Sequence, residues 1–161
     1  MSVQFLHILH QAFFGGVAAV GFAVLFNCKP SMLWLCFGAG ALALATRTVA
    51  QECGFTLPLA SFFAALLLAT LDRVWQEFPS PRGSVLAVVG AIPMVPGGIA
   101  AKVLISLFAM VRTGIGPGTE ATVDTWHNLI TLVFTLAAIG TALALPSLIE
   151  PAATRNRLGG I

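Results

Sequence analysis

The sequence predicts an all-α integral membrane protein with about five transmembrane helices, the fourth of which is broken at Pro93–Gly98. Hydrophobic residues make up 58% of the 161-residue chain and charged residues only 9%, whereas roughly a quarter of a soluble domain is charged. Five apolar stretches reach the length of about 20 residues that is needed to cross a bilayer. One of them carries two prolines and two glycines at its centre, which a continuous helix does not accommodate.

The five stretches follow one another through short connectors. They run approximately over residues 5–26, 32–50, 57–75, 84–111 and 123–148. The connectors leave no room for a soluble domain, so residues 1–150 are expected to form a single transmembrane domain and residues 151–161 a short cytoplasmic tail. The net charge of +2 and the absence of basic runs argue against a nucleic-acid partner. The lipid bilayer is the expected environment.

Positive charges are divided unevenly between the two sides of the predicted bundle. An odd number of spans places most of them on one side, at Lys29, Arg73, Arg82, Arg155 and Arg157. The other side has only Arg47 and Arg112. Cytoplasmic loops carry the excess of Lys and Arg in membrane proteins. The sequence therefore predicts an external N-terminus and a cytoplasmic C-terminus.

Glycines recur inside the first two stretches, at Gly15, Gly16, Gly21, Gly38 and Gly40. In lipid, small residues let helix backbones approach one another closely. The sequence therefore predicts a tight bundle. Five thin spans with so many small residues also favour a structure that partner proteins complete.

The fourth stretch contains the most informative feature. As one straight helix, residues 84–111 would be about 42 Å long at roughly 1.5 Å per residue, which is more than the hydrocarbon requires. Pro93, Pro96, Gly97 and Gly98 should interrupt this helix, and the second half should begin near Gly97 or Gly98. The freed amides and the helix dipole at such a start favour an anion such as a carboxylate. The alternative is a proline kink that only shapes packing.

Two cationic side chains are candidate contacts for that carboxylate. Lys102 follows the break by about one helical turn, and an ammonium inside a span usually faces a cavity or a partner. The alternative is that Lys102 extends to the membrane surface. Arg47 ends the second stretch and could clamp a carboxylate through two hydrogen bonds. It could equally lie among the headgroups or pair with Glu52 or Asp124.

Four further polar residues are candidates for binding or proton coupling. Asp72 is a candidate proton-coupling carboxylate if it is buried, the alternative being a solvated pair with Arg73. His127 is a candidate proton carrier because imidazole titrates near neutral pH. Asn27 and Asn128 could donate to a substrate or to unwound backbone, or could make hydrogen bonds between helices.

Other chemistry is not supported by the sequence. Cys28, Cys36 and Cys53 form no CxxC pair, so neither a zinc site nor a disulfide framework is expected. His7 and His10 are interpreted as interfacial residues rather than metal ligands. The sequence has no phosphate loop and no nucleophile beside a base, so it predicts no enzyme activity and no cofactor.

Several segments resemble the threonine/serine exporter family. They are the runs Ala91–Gly97 and Ala19–Ala23, the Phe26-Asn27 pair, Arg47, Asn128 and the pair Leu145-Pro146. The resemblance covers nearly the whole chain and is closest to the small YjjB-type subunit of the two-component, or split, members. The paired-proline run is its most specific part.

The resemblance implies a subunit of a secondary exporter, driven by an ion gradient, in a bacterial inner membrane. It implies a larger membrane subunit as partner, with a cytoplasmic N-terminal domain and about five spans. The implied substrates are threonine and serine, or a dicarboxylate such as succinate. The implied site or gating residues are Asn27, Arg47, Pro93, Pro96, Gly97 and Asn128, whereas Lys102 has no place in the family pattern.

The residues themselves favour a dicarboxylate slightly. Lys102 and Arg47 supply two cationic contacts, and the spans contain few acidic groups that could meet the ammonium of an amino acid. Two other functions remain open, a membrane scaffold or assembly subunit without transport, and an uncoupled channel.

Overall fold

The structure is a computed structural model that describes residues 2–76, 85–113 and 120–148. The described part contains six α-helices: α1 (Ser2–Leu25), α2 (Leu33–Glu52), α3 (Leu57–Gln76), α4 (Val85–Ala91), α5 (Gly97–Thr113) and α6 (Glu120–Leu148). Short 3-10 turns at Pro30–Met32 and Ile92–Met94 precede α2 and follow α4. The predicted tail and the connector between the third and fourth stretches lie outside the described residues.

The all-helical membrane fold is confirmed. Among the described residues three helices are long and apolar enough to cross a membrane, over Gln4–Leu25, Pro30–Glu52 and Glu120–Pro146. The bent pair Leu86–Met94 and Gly97–Arg112 makes a fourth if it is one span. The third predicted span, α3, is a 20-residue helix with Asp72 and Arg73 near its end, and it is not in this group. Within the described residues all five predicted stretches are therefore helical, and three or four of these helices meet the length and composition of a span.

The first two helices end in tight left-handed turns. Asn27 has a φ of 55°, and the N–H of Cys28 donates to the carbonyl of Ala23 at 2.9 Å. This is the Schellman arrangement, in which a left-handed residue lets the chain leave the helix while the last carbonyls stay bonded. Gly54, with a φ of 89°, ends α2 in the same way. Both turns are short, so α1, α2 and α3 run antiparallel in sequence.

Glycines bring α1 and α2 into backbone contact. A Cβ placed on Gly15 would lie 2.8 Å from the carbonyl oxygen of Gly40, and both residues are buried. Gly16 likewise leaves no room for a side chain. Gly21 and Gly38 have nothing within 4 Å of such a Cβ. The predicted close packing is therefore confirmed at Gly15, Gly16 and Gly40 and is not a property of the other two.

The core surrounds the break, and α5 lies outside it. Its buried residues come from α2, α3, α4, α6 and the turn after α4, and they are Ala43, Ala64, Ala65, Leu68, Ala91, Met94, Ile139 and Ala142. By contrast, α5 packs chiefly against α6. Ile105, Phe108 and Val111 on α5 are 69%, 74% and 86% exposed. The bundle thus has a packed core, and α5 lies at its edge, in contact chiefly with α6.

Candidate functional site

The predicted break is present and has a defined backbone. After α4 the 3-10 turn Ile92–Met94 leads into Val95, which is extended with a φ of −60° and a ψ of 124°. The half-helices on either side are bent by 50°, and α5 begins at Gly97 as predicted. Two prolines cause this, because Pro93 and Pro96 cannot donate a backbone hydrogen bond. Pro96 is buried, whereas Pro93 is half-buried.

Most of the amides at the start of α5 are already bonded. The N–H groups of Ile99 and Ala100 both donate to the carbonyl of Pro96 at 3.0 Å, and that of Gly97 donates to Val95 at 2.8 Å. Within the described residues, Gly98 is left as the amide of this turn with no backbone acceptor. The expectation of a fully open helix end is therefore corrected to one available amide. Gly98 is exposed, and a Cβ there would meet nothing within 4 Å.

Arg47 binds the break directly. Its Nη1 donates to the carbonyl oxygen of Met94 at 2.7 Å. This carbonyl belongs to the interrupted turn, and Met94 is fully buried. A charged donor is a strong partner for a buried carbonyl that a helix does not satisfy. The structure therefore gives Arg47 a role in holding the break, whereas its binding of a substrate carboxylate stays a prediction.

A polar groove runs between α5 and α6 beside the break. It is open, with a volume of about 450 Å³. Its lining residues are Lys102, Ile105, Ser106, Ala121, Asp124 and Asn128. Asp124 and Asn128 are four residues apart on α6 and therefore share one face of that helix. The groove brings together an ammonium, a carboxylate and an amide, of which Lys102 and Asn128 are predicted site residues.

The comparisons with known proteins agree with the predicted resemblance. Residues 11–149 match the family described as "Threonine/Serine exporter, ThrE". The chain belongs to this exporter family. An uncharacterized protein of Haemophilus influenzae is 30% identical over 150 residues, which cover 92% of this chain and 50% of that protein. The chain thus spans about half the length of this curated relative. No solved structure matches.

The remaining predicted site residues of this exporter-family chain lie apart from the groove lining. Asn27 is exposed and follows the end of α1. The left-handed backbone of this turn is sufficient to explain an asparagine at this position, without a ligand. His127 is exposed on α6, next to Asn128. Asp72 is buried, 6% exposed, and lines a different cavity between α2, α3 and α4.

Sequence reasoning missed Asp124 as a site residue. From the sequence alone Asp124 is a candidate only as an ion-pair partner of Arg47. Two signals could have found it. Its spacing of four residues from Asn128 places both on one helix face. The short connector between the fourth and fifth stretches, moreover, makes α5 and α6 antiparallel neighbours, with Lys102 on the opposite wall. Family membership implies a transport role rather than an enzyme.

Proposed function

We propose that this chain is part of a secondary active exporter of small carboxylate-bearing solutes, and that the solute binds in the α5–α6 groove. One observation carries the proposal: Lys102, Asp124 and Asn128 line a single groove beside a broken helix. Ionisable residues inside membrane segments usually mark substrate or ion pathways. Broken helices are likewise where secondary transporters bind their substrates. In this chain the two features lie next to each other.

The charges of the groove favour an α-amino acid. The ammonium of Lys102 and the amide of Asn128 suit a carboxylate, with the Gly98 amide close by in the chain, and Asp124 suits an ammonium. Threonine or serine would satisfy all of these groups, and Ser106 offers a partner for the substrate hydroxyl. A dicarboxylate such as succinate needs two cationic contacts. It is the second candidate, because Arg47 already donates to Met94.

The open side of the groove favours a protein partner. Lys102 and Asp124 are both exposed, and bare charge facing lipid is costly. In addition, α5 packs chiefly against α6 and leaves large apolar side chains uncovered. The chain spans half of its Haemophilus relative, so a second membrane unit is a fitting cover. We expect it to be the larger subunit predicted above, with a cytoplasmic N-terminal domain and about five spans.

Efflux measurements with three labelled solutes test the proposal. Cells that carry the exporter with Lys102→Ala should export threonine, serine and succinate more slowly, because all three need the ammonium. Asp124→Asn should slow threonine and serine at least about tenfold, the effect of losing one charged contact of about 1.4 kcal/mol, and should spare succinate. Arg112→Ala is the matched control, since Arg112 is an exposed cation on the same helix and does not line the groove.

Each alternative function gives a different result. Unchanged efflux of all three solutes in Lys102→Ala, at equal protein level, would remove the groove from the transport path. A scaffold would show altered assembly of the complex without a change in flux per complex. An uncoupled channel would show flux that neither saturates with solute nor responds to the ion gradient. Asp72 and His127 remain the predicted coupling residues, to be tested through proton dependence of efflux.

A further inference from the structure

Two of the three cysteines lie in contact at one end of the bundle. Cys28 follows the left-handed Asn27 in the turn after α1, and Cys36 lies in the first turn of α2. Their thiol groups share a side-chain hydrogen bond. Cys53 follows the other end of α2, about 26 Å from Cys36 along the helix axis. The contact therefore belongs to Cys28 and Cys36, and Cys53 is remote from it.

The backbone between α1 and α2 produces this contact. The N–H of Cys28 donates to the carbonyl of Ala23 at 2.9 Å, which turns the chain back at the end of α1. The N–H of Met32 donates to the carbonyl of Lys29 at 2.8 Å, which keeps the connection short. The two thiols thus meet because the folded backbone places them together.

The two thiols differ in their access to water. Cys36 is fully buried, in a core cluster with Ala23 of α1 and Val89 of α4. Cys28 is half-buried and packs against this cluster from the turn. Reactive cysteines are partly exposed and lie in positively charged surroundings, and Cys28 has the exposed Lys29 as its chain neighbour. A solute can therefore reach Cys28 first, with Cys36 directly behind it.

We propose that Cys28 and Cys36 form a reversible redox pair, in which hydrogen peroxide converts the two thiols into a disulfide. The Cys28 sulfur attacks one peroxide oxygen, the O–O bond breaks, and one water leaves while Cys28 becomes a sulfenic acid. The Cys36 sulfur then attacks the Cys28 sulfur. An S–S bond replaces the S–O bond, and the departing hydroxide takes the Cys36 proton and leaves as a second water. Two electrons pass from the thiols to the peroxide, and a dithiol reductant reverses the change.

The disulfide links the end of α1 covalently to the start of α2, beside α4. It is a transient bond and not the disulfide framework against which the sequence argues. On the predicted topology this turn faces the cytoplasm, where thiols are kept reduced and disulfides are transient or redox-sensing. The dithiol is thus the resting form and the disulfide is the response to peroxide. Neither cysteine lines the polar groove, so this inference does not depend on the proposed function.

Two variants with equal numbers of thiols test the pair. Cys53→Ser keeps Cys28 and Cys36, whereas Cys36→Ser keeps Cys28 and Cys53, which lie at opposite ends of α2. Each full-length protein is treated with hydrogen peroxide in detergent, unfolded with N-ethylmaleimide and weighed by intact mass spectrometry. Cys53→Ser should lose both maleimide adducts and should be lighter than the reduced chain by two hydrogen atoms, and dithiothreitol should restore both adducts. Cys36→Ser should show no such loss of two hydrogen atoms.

The proposal is overturned if peroxide-treated Cys53→Ser still carries a maleimide on Cys36, or if Cys28 gains oxygen without forming the disulfide. It is also overturned if Cys36→Ser forms an intramolecular disulfide as readily, since the contact in the fold would then play no part. Cys53 is exposed and lies outside both core clusters. Cys53→Ser should therefore fold, and its masses decide the matter even if Cys36→Ser does not fold.

Discussion

Arg47 connects the second helix to a backbone that is 47 positions further along the chain. The break exposes the Met94 carbonyl to a buried, apolar environment, where an unbonded carbonyl is unfavourable. The guanidinium removes that penalty and fixes the position of the turn relative to α2. Arg47 therefore positions the start of α5, and through it the wall of the groove that carries Lys102.

Arg47→Ala should destabilise the protein by about 1–3 kcal/mol, the effect of leaving a buried acceptor unsatisfied. Thermal unfolding in detergent, monitored by near-UV circular dichroism, measures the change. Arg112→Ala removes an exposed cation from the last turn of α5 and should change stability by no more than about 0.5 kcal/mol. Equal loss in both variants would mean that the bond to Met94 contributes nothing specific.

At this scale the sequence predicts the types of residue better than their partners. Lys102 and Asn128 are predictable as site residues because each is a polar residue within an apolar run. In the structure both line the same groove. The Arg47 bond to Met94 could not be predicted, since no local pattern relates two residues so far apart. The role of Asn27 in a site stays a prediction, because an asparagine at a helix end serves a left-handed turn as readily as it serves a ligand.

The pairing of α1 with α2 shows how single atoms decide the position of whole helices. Gly15 and Gly40 allow the two backbones to touch, and a side chain at Gly40 would overlap the carbonyl oxygen of Gly15, 2.5 Å away. Backbone atoms cannot rotate away as side-chain atoms can. The contact is therefore intolerant of any larger residue, in contrast to the loosely packed α5.

Gly40→Leu should prevent α1 and α2 from packing and should greatly reduce the yield of folded protein. The free energy of unfolding should fall by more than the roughly 1–3 kcal/mol that is common for overpacked cores, because the new side chain would clash with backbone atoms of Gly15. Size-exclusion chromatography in detergent measures the folded fraction. Gly21→Leu introduces the same side chain on α1 into open space and should elute like the wild type; similar behaviour of the two variants would contradict the close contact.

The elements themselves were largely predictable. Each predicted stretch is helical because its apolar run has the length of a helix in lipid, and Pro93, Pro96 and Gly97 mark the break because their effects are local. The 50° angle between the half-helices was not predictable, since it depends on how Met94 packs in the core and on the bond from Arg47.

At the scale of the whole molecule, the number of spans decides on which side of the membrane each terminus lies. If α3 crosses the membrane and α4 and α5 together form one span, the charge distribution predicts an external N-terminus and a cytoplasmic C-terminus. A reporter that is active only in the cytoplasm should then be active when fused after Ile161 and silent when fused before Met1. Activity in both fusions would place the termini on one side, which requires either that the bent pair is a re-entrant hairpin or that α3 does not cross the membrane.

The 50° bend also separates α4, whose end is fixed in the core, from α5, which has fewer contacts. α4 ends among buried residues, with Ala91 at 4% and Met94 at 0% exposure, whereas α5 is held along α6 and at the break. A continuous helix would transmit any displacement of α5 to the core, but a joint made of Val95 and Pro96 lets α5 change its angle while α4 stays in place. For the exporter proposed above, an alternation between inward- and outward-facing forms would then need a movement of α5 alone, with the Arg47 bond as its pivot.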